Sequence, residues 1–172
     1  MELLVGCGSN HSKKMGLQGH SDWDGLVTLD HNPLHNPDVL HDLNEPLPFD
    51  DDSCDEIHAY EVLEHLGSLG DWKFFFSQWA DWWRVLVDGG RVFATVPAMD
   101  SPWLFGDPSH TRVINMEQLT FLNQPAYAQV GKTAMSDFRD IYKADFDIEF
   151  AENQNGTFKF ILRAVKPTRC LV

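Results

Sequence analysis

Five short stretches of the sequence hold residue types that could do chemistry together. Leu3-Leu4-Val5-Gly6-Cys7-Gly8-Ser9-Asn10 sets two glycines directly behind an apolar run. Glycines there let a ligand come close to the backbone, although a bare tight turn uses the same residues. Asp30 follows Gly8 by 22 residues and ends another apolar run. A carboxylate at that place can accept hydrogen bonds from both hydroxyls of a ribose, or it can cap a turn at Asn32-Pro33. Asp42-Leu43 pairs a carboxylate with a backbone amide, an acceptor and a donor that fit the edge of an adenine. A turn aspartate ahead of Pro46 is the alternative. Glu61 stands at the end of Ile57-His58-Ala59-Tyr60, as a ligand or as a helix-start carboxylate. Asp107 and His110, within Gly106-Asp107-Pro108-Ser109-His110, are the catalytic candidates. An imidazole titrates near neutrality and can take up a proton; the other reading is that the two residues lock a turn on Pro108.

These residues need elements that carry them to one place. Leu3–Val5, Leu26–Leu29, Val39–Leu40, Ile57–Tyr60 and Arg91–Val96 are short apolar runs, stopped by Gly, Asp, Glu or Pro. Such runs suit strands buried on both faces, with polar or flexible residues at their carboxyl ends. The spacing of Trp72, Phe75, Phe76, Trp79, Trp83 and Leu86 predicts a helix over Asp71–Val87, capped by Asp71 and ended by Gly89-Gly90. Its aromatic stripe reads as core; Phe74 and Trp82, off that stripe, read as a partner surface. The segment Ser9–Gly25 is poor in apolar residues and rich in poor helix formers, so the first crossover is short or irregular. Asn115, three residues before Gln118, resembles a helix cap, with Leu119 and Leu122 as anchors. Near the end, Phe146, Ile148 and Phe150 alternate with acids, and Phe158, Phe160 and Leu162 follow beyond Asn155-Gly156. That is a β-hairpin signal. The fold class is therefore α/β, parallel-type strands closing on an antiparallel pair, as one domain over 1–172 with 98–143 as an insertion between the fifth strand and the hairpin.

Composition narrows the partners. The 172 residues carry 13 Lys and Arg against 26 Asp and Glu, a net charge of −13. Nucleic-acid backbones and anionic membranes both want a basic face, so neither is an expected partner. Cys7, Cys54 and Cys170 form no C-x-x-C pair, which argues against a disulfide framework or structural zinc. His31, His35 and His41 are separated by Pro33 and Pro37, so no helical metal face forms and no metal site is expected. His58 and His65 read as structural. The N-terminus shows no signal peptide, and a reducing cytoplasm is the expected location.

The order of these pieces resembles the class I S-adenosylmethionine-dependent methyltransferases, in particular a compact branch. The matching strings are Gly6-Cys7-Gly8, then Asp42-Leu43-Asn44-Glu45-Pro46-Leu47-Pro48-Phe49, then Val62-Leu63-Glu64-His65, then Arg84-Val85-Leu86-Val87-Asp88-Gly89-Gly90. The resemblance runs from Leu3 to about Pro97. It implies a Rossmann-like sheet of seven strands, mostly parallel, with a C-terminal antiparallel hairpin and helices on both faces. It also implies S-adenosylmethionine as cofactor. Gly6, Cys7 and Gly8 would line its methionine and ribose, Asp30 would hold the ribose, and His31 would pack near the adenine. Asp42 and Leu43 would meet the adenine edge, and Glu61 would sit near the methionine end. Leu4, Asn10 and Asp88 depart from the family's usual acid, glycine and proline.

The expected function is methyl transfer by in-line displacement to an unidentified acceptor: a protein, a sugar or a small metabolite. Two alternatives stay open: a non-catalytic module that binds S-adenosylmethionine, and a nicotinamide oxidoreductase. The second would want a third glycine where His11 stands. The first strand lies so near residue 1 that no N-terminal lid is expected. An open site then suits a large acceptor or a lid from a second subunit in a homodimer.

Overall fold

The computed structural model describes residues 1–171. Seven strands form one sheet: β1 (Glu2–Val5), β2 (Leu26–Asp30), β3 (Val39–Leu40), β4 (Cys54–Tyr60), β5 (Leu86–Pro97), β6 (Phe146–Gln154) and β7 (Thr157–Ala164). Their spatial order is β3-β2-β1-β4-β5-β7-β6. The pairs among β1 to β5 are parallel, and β7 lies antiparallel to both β5 and β6. The chain runs outward from β1 to β3, then returns to the other side of β1 to begin β4. That reversal opens a crevice at the carboxyl ends of β1 and β4, where open α/β sheets take their ligands.

The long helix α1 (Trp72–Val85) starts where Asp71 Oδ1 accepts a hydrogen bond from the Phe74 amide at 3.0 Å. Its buried face is Phe76, Trp79, Trp82 and Val85, packed on Leu3, Val5, Ile57, Ala59, Val92 and Phe160 of the sheet. This corrects the partner-surface reading of Trp82 and Phe74. Trp82 is 1% exposed while Trp72 is 45% exposed. The loop 43–47 causes the rotation: it lies against Phe74, Gln78 and Trp82, and the Leu47 amide donates to Asp81 Oδ2 at 2.7 Å. The helix thus buries two flanks, a wider arc than its sequence stripe suggests. It also ends before the glycine pair. Gly89 and Gly90 lie inside β5, where the register to β4 jumps between Leu86 and Arg91 and Gly89 takes φ +77°.

The hairpin forms as expected. Asn155 and Gly156 both have positive φ, 54° and 76°, the primed turn that matches the twist of paired strands. On β7, Phe158, Phe160, Leu162 and Ala164 face the core on the α1 side. From the insertion, Ile114, Leu119, Leu122 and Tyr142 join that same core. Two short helices lie there, α2 (Trp103–Gly106) and α3 (Met116–Thr120), the latter capped by Asn115 onto the Gln118 amide.

Helical cover is uneven. On the sheet face away from α1, a small cluster of Leu4, Cys7 and Tyr60 is covered by Met15 and Trp23 from the segment 9–25, which contains no helix. That strap is pinned by charge. Lys13 Nζ lies 2.8 Å from Glu2 and 2.9 Å from Glu56, and it is almost wholly buried. Beside it His58 is fully buried, stacked on Phe93 at 4.7 Å and bridged to Glu56 and Tyr60. No helix among the described residues is long and apolar enough to cross a membrane. Cys7, Cys54 and Cys170 form no disulfide among the described residues.

Candidate functional site

The glycine turn leaves the carboxyl end of β1 with Gly6 at φ +57° and Gly8 at φ +53°. The two glycines serve different needs. A Cβ on Gly6 would lie 1.8 Å from Val62 Cγ2, so Gly6 lets the turn pack against the chain leaving β4. A Cβ on Gly8 would meet nothing within 4 Å, so Gly8 faces open space. Cys7 between them is 5% exposed and turns its thiol into the small apolar cluster. Burial raises that thiol's pKa. What Cys7 offers a ligand is backbone.

Asp30, at the end of β2, is 4% exposed. Its Oδ2 accepts from the Gly8 amide at 2.9 Å and its Oδ1 from the Asn32 amide at 2.8 Å. Burial works against its charge, but the two amides and His35 outweigh that and hold the carboxyl below its ordinary range. His35 Nδ1 lies 3.1 Å from Oδ2, and the exposed His31 lies 3.6 Å from Oδ1. Asp42 follows β3, is exposed, and spends Oδ1 on the amide and side chain of Asn44, both at 2.9 Å. Leu43 beside it is buried in the main core, so only its backbone faces a ligand. Glu61 leaves β4 with φ +56°, a conformation that a side-chain-bearing residue adopts at a cost of about 1–3 kcal/mol. Its amide donates to the Thr95 carbonyl at 2.8 Å, which pins it beside the crevice.

A second group of side chains stands next to Glu61. Glu64 is 1% exposed, and neither of its oxygens has a hydrogen-bond partner. Burial, with the like charge of Glu61, pushes its carboxyl up to about 8. The loop 107–112 docks on it: the Thr111 and Arg112 amides both donate to the Glu64 carbonyl. Arg112 is buried, sends Nε to the Leu63 carbonyl and Nη2 to Gln78, and is lowered by burial to about 10. His110 Nε2 lies 3.9 Å from Glu64 Oε1 and 3.9 Å from Asp107 Oδ2. The other Asp107 oxygen holds the Ser109 amide and hydroxyl. Asp107 thus locks a turn with Ser109, and His110 faces Glu64 from the same loop.

No family model matches the sequence, and no curated protein matches it. Solved structures do. A SAM-dependent methyltransferase from Archaeoglobus fulgidus superposes with TM-score 0.60 at 16% identity, covering 94% of this chain and 85% of that one. A putative methyltransferase from Haloferax volcanii, in complex with the Trm112 methyltransferase activator, gives 0.59 at 14% identity over 95% and 82%. An S-adenosylmethionine-dependent methyltransferase from Mesorhizobium loti gives 0.57 at 12% identity over 94% and 90%. The chain has the class I methyltransferase fold.

Within that fold the sequence-named groups converge by topology. Val5 is paired with Leu29 and with Ala59, and Asp30 with Leu40, so the glycine turn, Asp30, Asp42 and Glu61 all leave the same sheet edge. Sequence reasoning missed His35, which lies against Asp30, and Glu64, which was read only as part of a matching string. It took His65 as structural, and the fold sets that ring edge-on to His110 with centroids 4.7 Å apart. A Glu-His pair one turn past a strand end was the available signal. Its partner lies 45 residues on, which no local pattern shows.

Proposed function

We propose that the chain binds S-adenosylmethionine at the β1/β4 crevice and transfers its methyl group to an acceptor held beside Glu64 and His110. The observation that supports this most is the glycine turn tied to Asp30 across the switch point, with open space over Gly8. The donor groups fit the cofactor. Gly6, Cys7 and Gly8 offer backbone to the methionine and ribose. Asp30 keeps a free lone pair on Oδ1 for a ribose hydroxyl, and His35 has to turn aside for the second. Asp42 and the Leu43 backbone suit the adenine edge, with His31 beside it. Glu61 suits the ammonium and sulfonium charges. The bound cofactor would supply an activated methyl carbon. The chain's task is alignment and exclusion of water.

Asp107 and His110 are the groups we assign to the acceptor side, where a proton must leave any acceptor that loses one in the step. The segment 98–143 is assigned to acceptor recognition. Its Met99, Trp103 and Phe105 are 59%, 68% and 79% exposed beside that side of the crevice. A protein, a sugar or a small metabolite suits the acidic chain better than a nucleic acid does. A cytoplasmic location and a homodimer complete the reading; light scattering that gives a monomer at all concentrations removes the dimer.

Calorimetry with S-adenosylmethionine and S-adenosylhomocysteine tests the core of this. Wild type should bind both at one per chain, and Asp30→Ala should bind at least about tenfold more weakly, one lost charge-assisted hydrogen bond being worth about 1.5–3 kcal/mol. No heat and no shift in melting temperature with either compound would refute cofactor binding. Acceptor-dependent formation of S-adenosylhomocysteine separates a transferase from a binding module.

A further inference from the structure

The methyl-donor crevice uses neither Glu64 nor His65, yet the fold places both against His110. One ligand atom from each of Glu64, His65 and His110 lies within 4.8 Å of the others. We propose that these three side chains hold a divalent transition-metal ion, of which zinc fits best, at the carboxyl end of β4.

Four observations carry this. First, Glu64 is buried, neither carboxylate oxygen meets a donor, and the neighbouring Glu61 carboxyl adds like charge, a cost that a bound cation removes. Arg112 is near, but it sends its Nε and Nη2 hydrogen bonds to Leu63 and Gln78. Second, each histidine has its Nδ1 tied down. His110 Nδ1 faces the Leu104 carbonyl at 3.3 Å, and His65 Nδ1 faces the Ser109 carbonyl and hydroxyl at 3.3 and 3.1 Å. A carbonyl can only accept, so each Nδ1 carries the proton and each Nε2 presents a lone pair. Metal-binding histidines are oriented in that manner. Third, the rings meet edge to face at 77°, and His110 Nε2 is 3.9 Å from Glu64 Oε1. Ligands around zinc stand about 3.3 Å apart, given bonds of about 2.0–2.2 Å. Closing the set from 4.8 Å to that spacing takes about 1.5 Å of side-chain movement. Fourth, two more carboxyl groups border the set, Glu61 beside Glu64 and Asp107 Oδ2 3.9 Å from His110 Nε2.

Two imidazoles and one carboxylate with a free position are a catalytic type of ligand set and favour zinc over magnesium. Resting on the methyl-transfer reading, the ion gives the acceptor a chemical class: a hydroxyl compound. The hydroxyl oxygen would take the open position, which makes it more acidic, and its proton passes to solvent. That oxygen then forms a bond to the methyl carbon. The carbon–sulfur bond breaks with its electron pair staying on sulfur, and the sulfonium becomes a neutral thioether. His110 acts as ligand in this scheme, with Asp107 beside it.

The test needs no cofactor, so it stands apart from the S-adenosylmethionine experiment. The chain is stripped with chelator and dialysed against Zn²⁺, and the bound metal is counted by elemental analysis. One ion per chain is expected. Glu64→Gln and His110→Ala should each weaken binding at least about tenfold, and His20→Ala, far from the group in sequence and exposed, should not. Circular dichroism checks that each variant is folded. His65→Ala carries the same decision if one of them is not. No saturable site, or unchanged binding in folded Glu64→Gln and His110→Ala, overturns the proposal. Equal competition by Mg²⁺ overturns the choice of a transition metal. Zinc binding without cofactor binding would keep the site and discard the hydroxyl-transfer scheme.

Discussion

Gly6 and Gly8 share a backbone conformation but answer to different constraints, and substitution should separate them. Gly6→Ala drives a methyl into Val62 and is expected to unfold or severely destabilise the chain. Gly8→Ala meets open space, so only its φ resists, at about 1 kcal/mol; it should fold, by thermal melt, and lose cofactor binding by calorimetry. Asp30 gives a pH prediction. Its folded pKa lies below the ordinary aspartate value of about 3.9, because amides of Gly8 and Asn32 favour the charged form over its burial. The native state therefore releases this proton more readily than the unfolded chain. The resulting stabilisation is present above about pH 4 and fades as the pH falls through the folded value. Denaturant unfolding of wild type should show that acid loss, and Asp30→Asn should show a smaller one; equal slopes would refute it. At this scale the sequence marked Gly6, Gly8 and Asp30 as candidates, because backbone freedom and strand-end carboxylates leave local marks. It did not reveal that Asp30 is first engaged in holding the glycine turn, nor that His35 and Glu64 matter, since those contacts cross the chain.

Among the elements, α1 shows what periodicity can and cannot tell. Its existence, cap and apolar character are plain from Asp71 to Val85, because a 3.6-residue rhythm and an N-cap are local. Which tryptophan is most buried is not local, since the answer depends on the loop 43–47 lying over its flank. Trp82→Ala is accordingly expected to cost roughly 3–5 kcal/mol, the price of emptying a packed aromatic site. A partner-surface residue would cost about 0.5 kcal/mol at most, so chemical denaturation decides between the two. The hairpin's turn and two strands were legible from Asn-Gly and the alternation, but the bulge between Ile148 and Phe150, which leaves Phe150 exposed, was not. Gly89-Gly90 was misread as a helix stop for a physical reason: a glycine pair ends a helix and kinks a strand equally well.

Over the whole molecule, the order of the sheet turns scattered residues into one edge. Patterning did not give that order, because short buried runs fix that strands exist but not which neighbours they take; the family resemblance implied only seven mostly parallel strands with an antiparallel hairpin. The exposed Trp103 and Phe105 add little to the core at this scale. Trp103→Ser with Phe105→Ser is expected to leave unfolding free energy within about 0.5 kcal/mol per site of wild type. A large loss would mean that α2 is structural. The strap over the second face has a practical consequence. It is coil held at few places, by Lys13 between two glutamates and by Met15 and Trp23 on the sheet, while Gly19 between them is exposed with empty space around it. Foreign sequence spliced in beside Gly19 would lengthen a loop without breaking a ladder, so that point is where a reporter peptide or a permuted terminus can enter with least harm.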